Sequence, residues 1–231
     1  MRIISWNCNG ALRKKFSLLE KLNFDVCVIQ ECENPVETKD KRYRDWACNH
    51  LWIGTNKNKG LGVFAKPEIQ LAPAPLDAGR LELFLPCTVN QSMFLLAVWT
   101  KQANSPTFQY IGQLWKYLQQ HKSLLAEKNA LIIGDLNSNS CWDVWDRWWN
   151  HSDVVRELSD IGIKSLYHAQ HNEPFGRETN PTFFMYRKLE KLYHIDYAFL
   201  PEKLLESAKI EIGSPESWLE HSDHMPLIIE L

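Results

Sequence analysis

The sequence predicts an α/β domain built from two packed, mostly antiparallel sheets flanked by helices. Three observations lead there. Short apolar runs of strand length recur along the whole chain, several of them paired across polar turns. Only a few helix-length stretches lie between them. No linker, repeat or low-complexity tract interrupts the 231 residues, so one domain over residues 1–231 is expected. Hydrophobic residues make up 45% of the chain and charged residues 23%, enough apolar material to offset the entropy of ordering it. Hairpins with interspersed helices bury their apolar faces when two sheets pack together and helices cover the outside.

Residues 2–6 form a short apolar opening strand. Residues 11–22 read as an amphipathic helix, with Leu12, Phe16, Leu19 and Leu22 near one face. Residues 25–29 are a buried strand. Residues 51–54 and 60–65 form a hairpin around the polar turn 55–59. Residues 81–89 and 92–100 form another, bending at Asn90-Gln91. Pro106 opens a long helix to about Leu125, since proline suits a first helical turn. Residues 129–134 are a buried strand. Ser152 is the expected N-cap of a helix over 152–160. Strands at 182–186, 194–200, 209–212 and 226–231 complete the series.

Twenty-six basic residues face 28 acidic ones, and the net charge is -2. The first 70 residues are net basic and the last third is acidic. A protein that grips duplex nucleic acid by bulk charge is usually basic, so such binding here must come from local patches. Arg13-Lys14-Lys15, Lys57 with Lys59, and Arg187-Lys188 with Lys191 are the candidates. No uncharged apolar run approaches the ~20 residues of a membrane span. The opening residues lack a long apolar export signal, so a cytoplasmic protein without membrane attachment is expected. Six cysteines form no CxxC pair and several lie in apolar runs, which points to reduced, buried thiols rather than zinc ligands.

Five strand ends carry the chemistry, because a rigid strand can aim a polar side chain from a loop. The first bears Asn7, within Ser5-Trp6-Asn7-Cys8-Asn9-Gly10. The second ends on Gln30-Glu31, and a carboxylate closing a buried strand is costly unless solvated, paired or bound to a metal. The third, Gly134-Asp135-Leu136-Asn137-Ser138, places a carboxylate and an amide two residues apart, suited to orienting one water. The fourth, His194-Ile195-Asp196-Tyr197, puts one carboxylate inside an aromatic strand, where it needs a partner. The fifth, Ser222-Asp223-His224, can supply that partner: a buried carboxylate raises the proton affinity of an imidazole and lets it donate to an anion. Oxygen donors of this kind favour Mg²⁺ or Mn²⁺ over Zn²⁺. A hard cation, an aligned water and an imidazolium together suit phosphodiester hydrolysis.

Taken together, these stretches resemble the endonuclease/exonuclease/phosphatase superfamily, whose members include deoxyribonuclease I, exonuclease III-type abasic-site endonucleases, inositol-polyphosphate 5-phosphatases and neutral sphingomyelinases. The resemblance runs from Ser5-Trp6-Asn7 to Ser222-Asp223-His224 and includes Gly60-Leu61-Gly62-Val63-Phe64. It implies a four-layered α/β sandwich with the active site at one end. It implies Glu31 as main metal ligand with Asn7 beside it and Asp223 completing the metal side. Asp135 would align the attacking water and Asn137 would hold it. Asp196 would orient His224, which would stabilise the phosphoryl group during attack. The implied activity is that of a Mg²⁺- or Mn²⁺-dependent nuclease, monomeric, with DNA the favoured substrate and abasic-site cleavage among its reactions.

The chain departs from the family in two places. Family members carry a phosphate-contacting Tyr or His after the strand preceding the long helix. Here the stretch is Val98-Trp99-Thr100-Lys101-Gln102-Ala103-Asn104, so Thr100 or Lys101 would take that role. His194 stands where many members have Arg. Further substrate contacts are expected from Arg177 and from Trp142 in the segment that also holds Trp145, Trp148 and Trp149. Trp142, Trp145 and Trp149 also fit one buried helix face, and that reading is favoured over exposed indoles. Two other functions remain open at this point: a phosphatase or phosphodiesterase for a small metabolite or lipid headgroup, and an RNA nuclease or a catalytically silent binding module.

Overall fold

Two six-stranded sheets face one another, each with a single parallel pair at its centre. The computed structural model describes residues 1–102 and 105–231. Strand β1 (Arg2–Asn7) leads through a 3-10 turn and the short helix α1 (Phe16–Glu20) to β2 (Val26–Cys32). Helix α2 (Lys41–Trp46) precedes the hairpin of β3 (His50–Asn56) and β4 (Lys59–Ala65). Strands β5 (Leu71–Pro73), β6 (Phe84–Val89) and β7 (Met93–Trp99) come next, then the long helix α3 (Ile111–Glu127) and β8 (Leu131–Asp135). The tryptophan-rich segment follows, then α4 (His151–Asp160), β9 (Ile163–Ser165) and α5 (Leu166–His171). A small hairpin, β10 (Phe183–Phe184) and β11 (Leu192–Tyr193), precedes β12 (Asp196–Pro201). Strand β13 (Lys209–Ile212), helix α6 (Pro215–Trp218) and β14 (Leu227–Glu230) complete the order.

The first sheet runs β13-β14-β1-β2-β4-β3 and the second β5-β6-β7-β8-β12-β9. Parallel neighbours need a crossover, and helices α1 and α3 lie on the two that these sheets use, β1 to β2 and β7 to β8. Ile3, Val28 and Val63 of the first sheet meet Leu85, Leu95 and Ile133 of the second in a buried middle layer. On the outer face of the first sheet, Trp6 and Phe64 pack with Leu19, Tyr43 and Trp218 from its helices. On the outer face of the second, Ile132 and Phe199 pack with Leu114, Leu118, Val154 and Leu158. The result is the four-layered sandwich. Each fully buried aliphatic side chain adds roughly 1.5–3 kcal/mol relative to exposure.

Several local expectations change. The helix expected over 11–22 is broken: Lys15 sits at φ -127° and its ammonium donates to the Cys8 carbonyl (2.6 Å), leaving a turn at Leu12–Lys14 and a five-residue α1. The long helix starts at Ile111, not at Pro106. Helix α4 is capped at Asn150 rather than Ser152, because Asp143 accepts the N–H groups of His151 (2.9 Å) and Ser152 (3.2 Å). The strand expected over 182–186 shrinks to Phe183–Phe184, since Tyr186 turns to φ 58°. Residue 194 precedes its strand, which begins at Asp196. The largest change concerns the tryptophans. Residues 143–149 form no helix; of the three tryptophans expected on a buried face, Trp142 and Trp145 are exposed and Trp149 is half-buried, and Trp148 is exposed as well. Of the cysteines, Cys8, Cys27, Cys32 and Cys87 are buried, whereas Cys48 and Cys141 are exposed. Among the described residues, no helix is long and apolar enough to cross a membrane.

Candidate active site

Strand geometry brings the polar strand ends to one end of the sandwich. β1 and β2 run in parallel, so Asn7 ends beside Gln30. β8 ends on Asp135, which pairs directly with Asp196 at the start of antiparallel β12. His224 lies in the loop before β14 and is tied to β1, because the Trp6 indole N–H donates to its carbonyl (2.9 Å). The Asp135 turn depends on Gly134. Its φ is +151°, and a Cβ there would stand 1.8 Å from the Val98 carbonyl oxygen.

Asp135 is fully buried and fixed by three N–H groups. Asn7 Nδ2 (2.9 Å) and Asn137 Nδ2 (3.0 Å) donate to its Oδ2, and the Asn137 backbone N–H donates to its Oδ1 (2.8 Å). Burial and the nearby Asp196 charge push the Asp135 carboxyl up to about 7, against the pull of His224, Asn7 and Asn137. Asn137 also donates to the Thr100 carbonyl (2.9 Å).

Asp196 accepts from His224 Nδ1 at 2.9 and 3.2 Å. Burial alone would lower the imidazole, but Asp196, Asp135 and Asp223 outweigh it and raise His224 to about 9. The ring is therefore an imidazolium at neutral pH. Among the described residues, Asp135, Asp196 and His224 form an acidic and histidine cluster whose ligand atoms lie within 4.8 Å of one another. An imidazolium held on Asp196 has no lone pair to offer on that side, so this cluster already contains its own cation.

Glu31 is not a member of that cluster. A bulge between Gln30 and Cys32 throws it to φ 62°, an uncommon conformation for a residue with a side chain. Its Oε2 meets the Lys59 ammonium at 2.9 Å. Asp223 accepts from Asn9 Nδ2 (2.9 Å), and Asn9 in turn donates its backbone N–H to Asn7 Oδ1 (3.1 Å).

The other expected contacts divide. Thr100 is fully buried, and its hydroxyl donates to the Leu136 carbonyl. Its contacts with Leu136 and Asn137 make it a support of the Asp135 turn. Lys101 is partly exposed, 3.1 Å from Glu82, with its ammonium over the Trp99 ring. Ala103 and Asn104 of the same stretch lie outside the described residues. Arg177 is exposed on a loop, and Trp142 packs against Tyr193 with ring centroids 5.0 Å apart.

The sequence does not show the supporting roles of four further residues. Thr182 Oγ1 accepts the N–H groups of Ile195 (3.0 Å) and Asp196 (3.1 Å), fixing the start of β12. Ser222 Oγ donates to the Asn7 carbonyl (2.7 Å) and accepts from the His224 N–H (3.0 Å). Asn9 steadies Asp223. Phe183 forms a β-bridge with His224 and lays its ring 4.6 Å from the imidazole. All four act through contacts between segments far apart in sequence.

The profile of the Endonuclease/Exonuclease/phosphatase family matches residues 4–224. The chain belongs to this family. Its fold is also that of solved members. A 3′-5′ exonuclease, NExo, from Neisseria meningitidis superposes with a TM-score of 0.70 at 18% identity, covering 100% of this chain and 99% of that one. A 3′ phosphatase NExo variant from Neisseria, bound to a product DNA hairpin, gives 0.72 at 19% identity with the same coverage. An AP endonuclease from Archaeoglobus fulgidus gives 0.67 at 19% identity, covering 100% and 99%. No curated protein sequence matches the chain significantly. The neighbours of known activity in this family are hydrolases of phosphoric esters.

Proposed function

We propose that this family member is a monomeric, divalent-metal-dependent phosphodiesterase that hydrolyses nucleic acid, with DNA the favoured substrate. One observation carries the reading: two acidic groups and a histidine share a buried cluster, with Asp135 raised to about 7 and His224 to about 9. Such divergent titration assigns an acceptor and a donor of protons within one site. The DNA-bound phosphatase, the exonuclease and the AP endonuclease of similar fold support the substrate class.

Asp135 accepts a proton from, and aligns, the attacking water. Asn7 and Asn137 hold that carboxylate, so little rearrangement is needed when charge moves. Asp196 holds Nδ1 of His224, leaving the opposite ring N–H to meet a phosphoryl oxygen as negative charge builds on it. Water then attacks phosphorus in line with the departing oxygen. Glu31, Asn7 and Asp223 fit a hard cation: they offer carboxylate and amide oxygens, and Glu31 already attracts one cation, Lys59, at 2.9 Å. Mg²⁺ or Mn²⁺ held by these residues would neutralise charge on the phosphate. Lys101, Arg177 and Trp142 are the outer contacts to the strand. Cleavage beside an abasic site and removal of 3′ terminal groups are both reactions this in-line geometry can serve.

The test uses purified protein with supercoiled plasmid, abasic-site duplex, single-stranded RNA and inositol phosphates, each with Mg²⁺, Mn²⁺ or chelator. Strand cleavage that stops with chelator is expected. Asp135→Ala and His224→Ala should each reduce turnover at least ~100-fold, the usual loss for such groups. Phosphate release from small substrates alone would replace this reading with that of a phosphatase. Absence of all turnover would leave a binding module.

A further inference from the structure

The tryptophan-rich loop between β8 and α4 exposes far more apolar surface than folding requires. Trp145 is 95% exposed, Trp148 62% and Trp142 43%. Exposed aromatic surface gathered in one segment marks a binding face. The loop is also held firmly. Asn150 accepts from the Val144 N–H (2.9 Å) and donates to the carbonyls of Val144 (2.9 Å) and Arg147 (2.6 Å). Trp149 anchors it by packing on Phe108, centroids 4.6 Å apart. The indoles are thus presented by a fixed scaffold, which limits the ordering entropy of binding.

The loop is continuous with the reaction centre. Phe183 lies 4.6 Å from the His224 ring, Tyr193 6.4 Å from Phe183, and Trp142 5.0 Å from Tyr193. A cavity of about 230 Å³, lined in part by Cys141, Leu192, Tyr193 and His194, opens beside Trp142's neighbours. Charge then selects the occupant. Residues 143–149 contain two acids, Asp143 and Asp146, and one cation, Arg147. Arg147 is engaged within the loop, donating to Asn150 (2.8 Å) and to the Trp142 carbonyl (3.3 Å). A loop that presents ring systems and whose own single cation is engaged within it suits base faces rather than the phosphates of a closed duplex.

Resting on the nuclease reading above, we propose that Trp142, Trp145 and Trp148 stack unpaired nucleobases of the substrate strand. The enzyme's preferred substrate then carries a single-stranded segment next to the scissile phosphate.

Binding is read by fluorescence anisotropy in chelator, so that no strand is cut, on a blunt duplex and on duplexes with a short 3′ or 5′ overhang. Trp145→Ala should weaken binding of one overhang duplex about 10-fold, within the range for lost base stacking, and leave the blunt duplex unchanged. Replacing the overhang's bases with abasic spacers should cost the wild-type protein a similar factor. Kinetics with Mg²⁺ should show the same change in KM with kcat preserved. The proposal is overturned if Trp145→Ala binds both overhangs like wild type, or if spacer overhangs bind as tightly as those with bases. Vesicles of phosphatidylcholine and phosphatidylserine that capture wild type but not Trp145→Ala would also overturn it, assigning the loop to a membrane surface. Failure of the nuclease reading shows separately, as intact plasmid and oligonucleotides in every metal.

Discussion

Asp196 is what makes the His224 imidazole a cation. With Asp135 near 7 and His224 near 9, the working form has Asp135 ionised and His224 protonated. Activity should rise as pH passes about 7 and fall as it passes about 9, giving a bell in kcat/KM between those values. Asp196→Asn should move the alkaline limb to lower pH; an unmoved limb would detach it from His224. His151 offers a stability test. It is fully buried, neither ring nitrogen has a hydrogen-bond partner among the described residues, and burial lowers it to about 3. The unfolded chain, with an ordinary histidine near 6.5, takes up this proton first on acidification. Stability from His151 is therefore complete above about 6.5 and is lost as pH falls toward 3, by about 2 kcal/mol at pH 5. Asp135, raised in the folded state, has the opposite sign in this window, because the folded chain takes up its proton first. The measurement is thus the difference between wild type and His151→Phe in urea unfolding at pH 7 and pH 5, and His151→Phe should lose less on acidification. Asp135, Asn137, Asp196 and His224 were legible because each is a costly polar residue at the end of an apolar run. Thr182, Asn9 and Ser222 were not, since an isolated hydroxyl or amide gains its role only from a distant partner.

At the scale of elements, β8 is the least forgiving. Gly134→Ala would place a methyl against the Val98 carbonyl and demand an unusual φ. It should destabilise the protein by about 3 kcal/mol or more, read as a lowered urea midpoint, with activity lost in the same preparation. A tolerated alanine would mean that β7 and β8 can separate without harm to the Asp135 turn. The hairpins of the two sheets could be read from sequence because their turns and apolar alternation are local. The tryptophan segment could not. A spacing of three to four residues over so short a stretch fits a helix face, but Asn150 and Asp143 commit the backbone to a loop before any helix begins. Helices α2, α5 and α6 were also invisible, being six residues or fewer and held by packing rather than by their own periodicity. Glu31 was read as a strand end, whereas it lies inside β2 at a bulge.

For the whole molecule, the site is a product of sheet pairing. Neither sheet holds it alone: Asn7 and Glu31 belong to one, Asp135 and Asp196 to the other. A cation bound there links to global stability, because the unfolded chain has no such site. Mn²⁺ at ten times its dissociation constant should stabilise the fold by about 1.4 kcal/mol and raise the melting temperature. Glu31→Gln should abolish most of that rise while melting normally in chelator; an undiminished rise would place the cation elsewhere. The layered architecture was legible from hairpins, helices and composition. The pairing of first strand with last was not, because nothing local announces it.

That pairing also sets a timetable. Arg2 lies opposite Glu230, so β1 finds its neighbour β14 only after more than 200 further residues have been made. A ribosome delivers Asn7, Glu31 and Asp135 well before His224. Contacts of such long sequence separation form slowly. In the nascent polypeptide Asp196 therefore waits for its imidazole partner, and the buried cluster closes only once β14 has docked on β1.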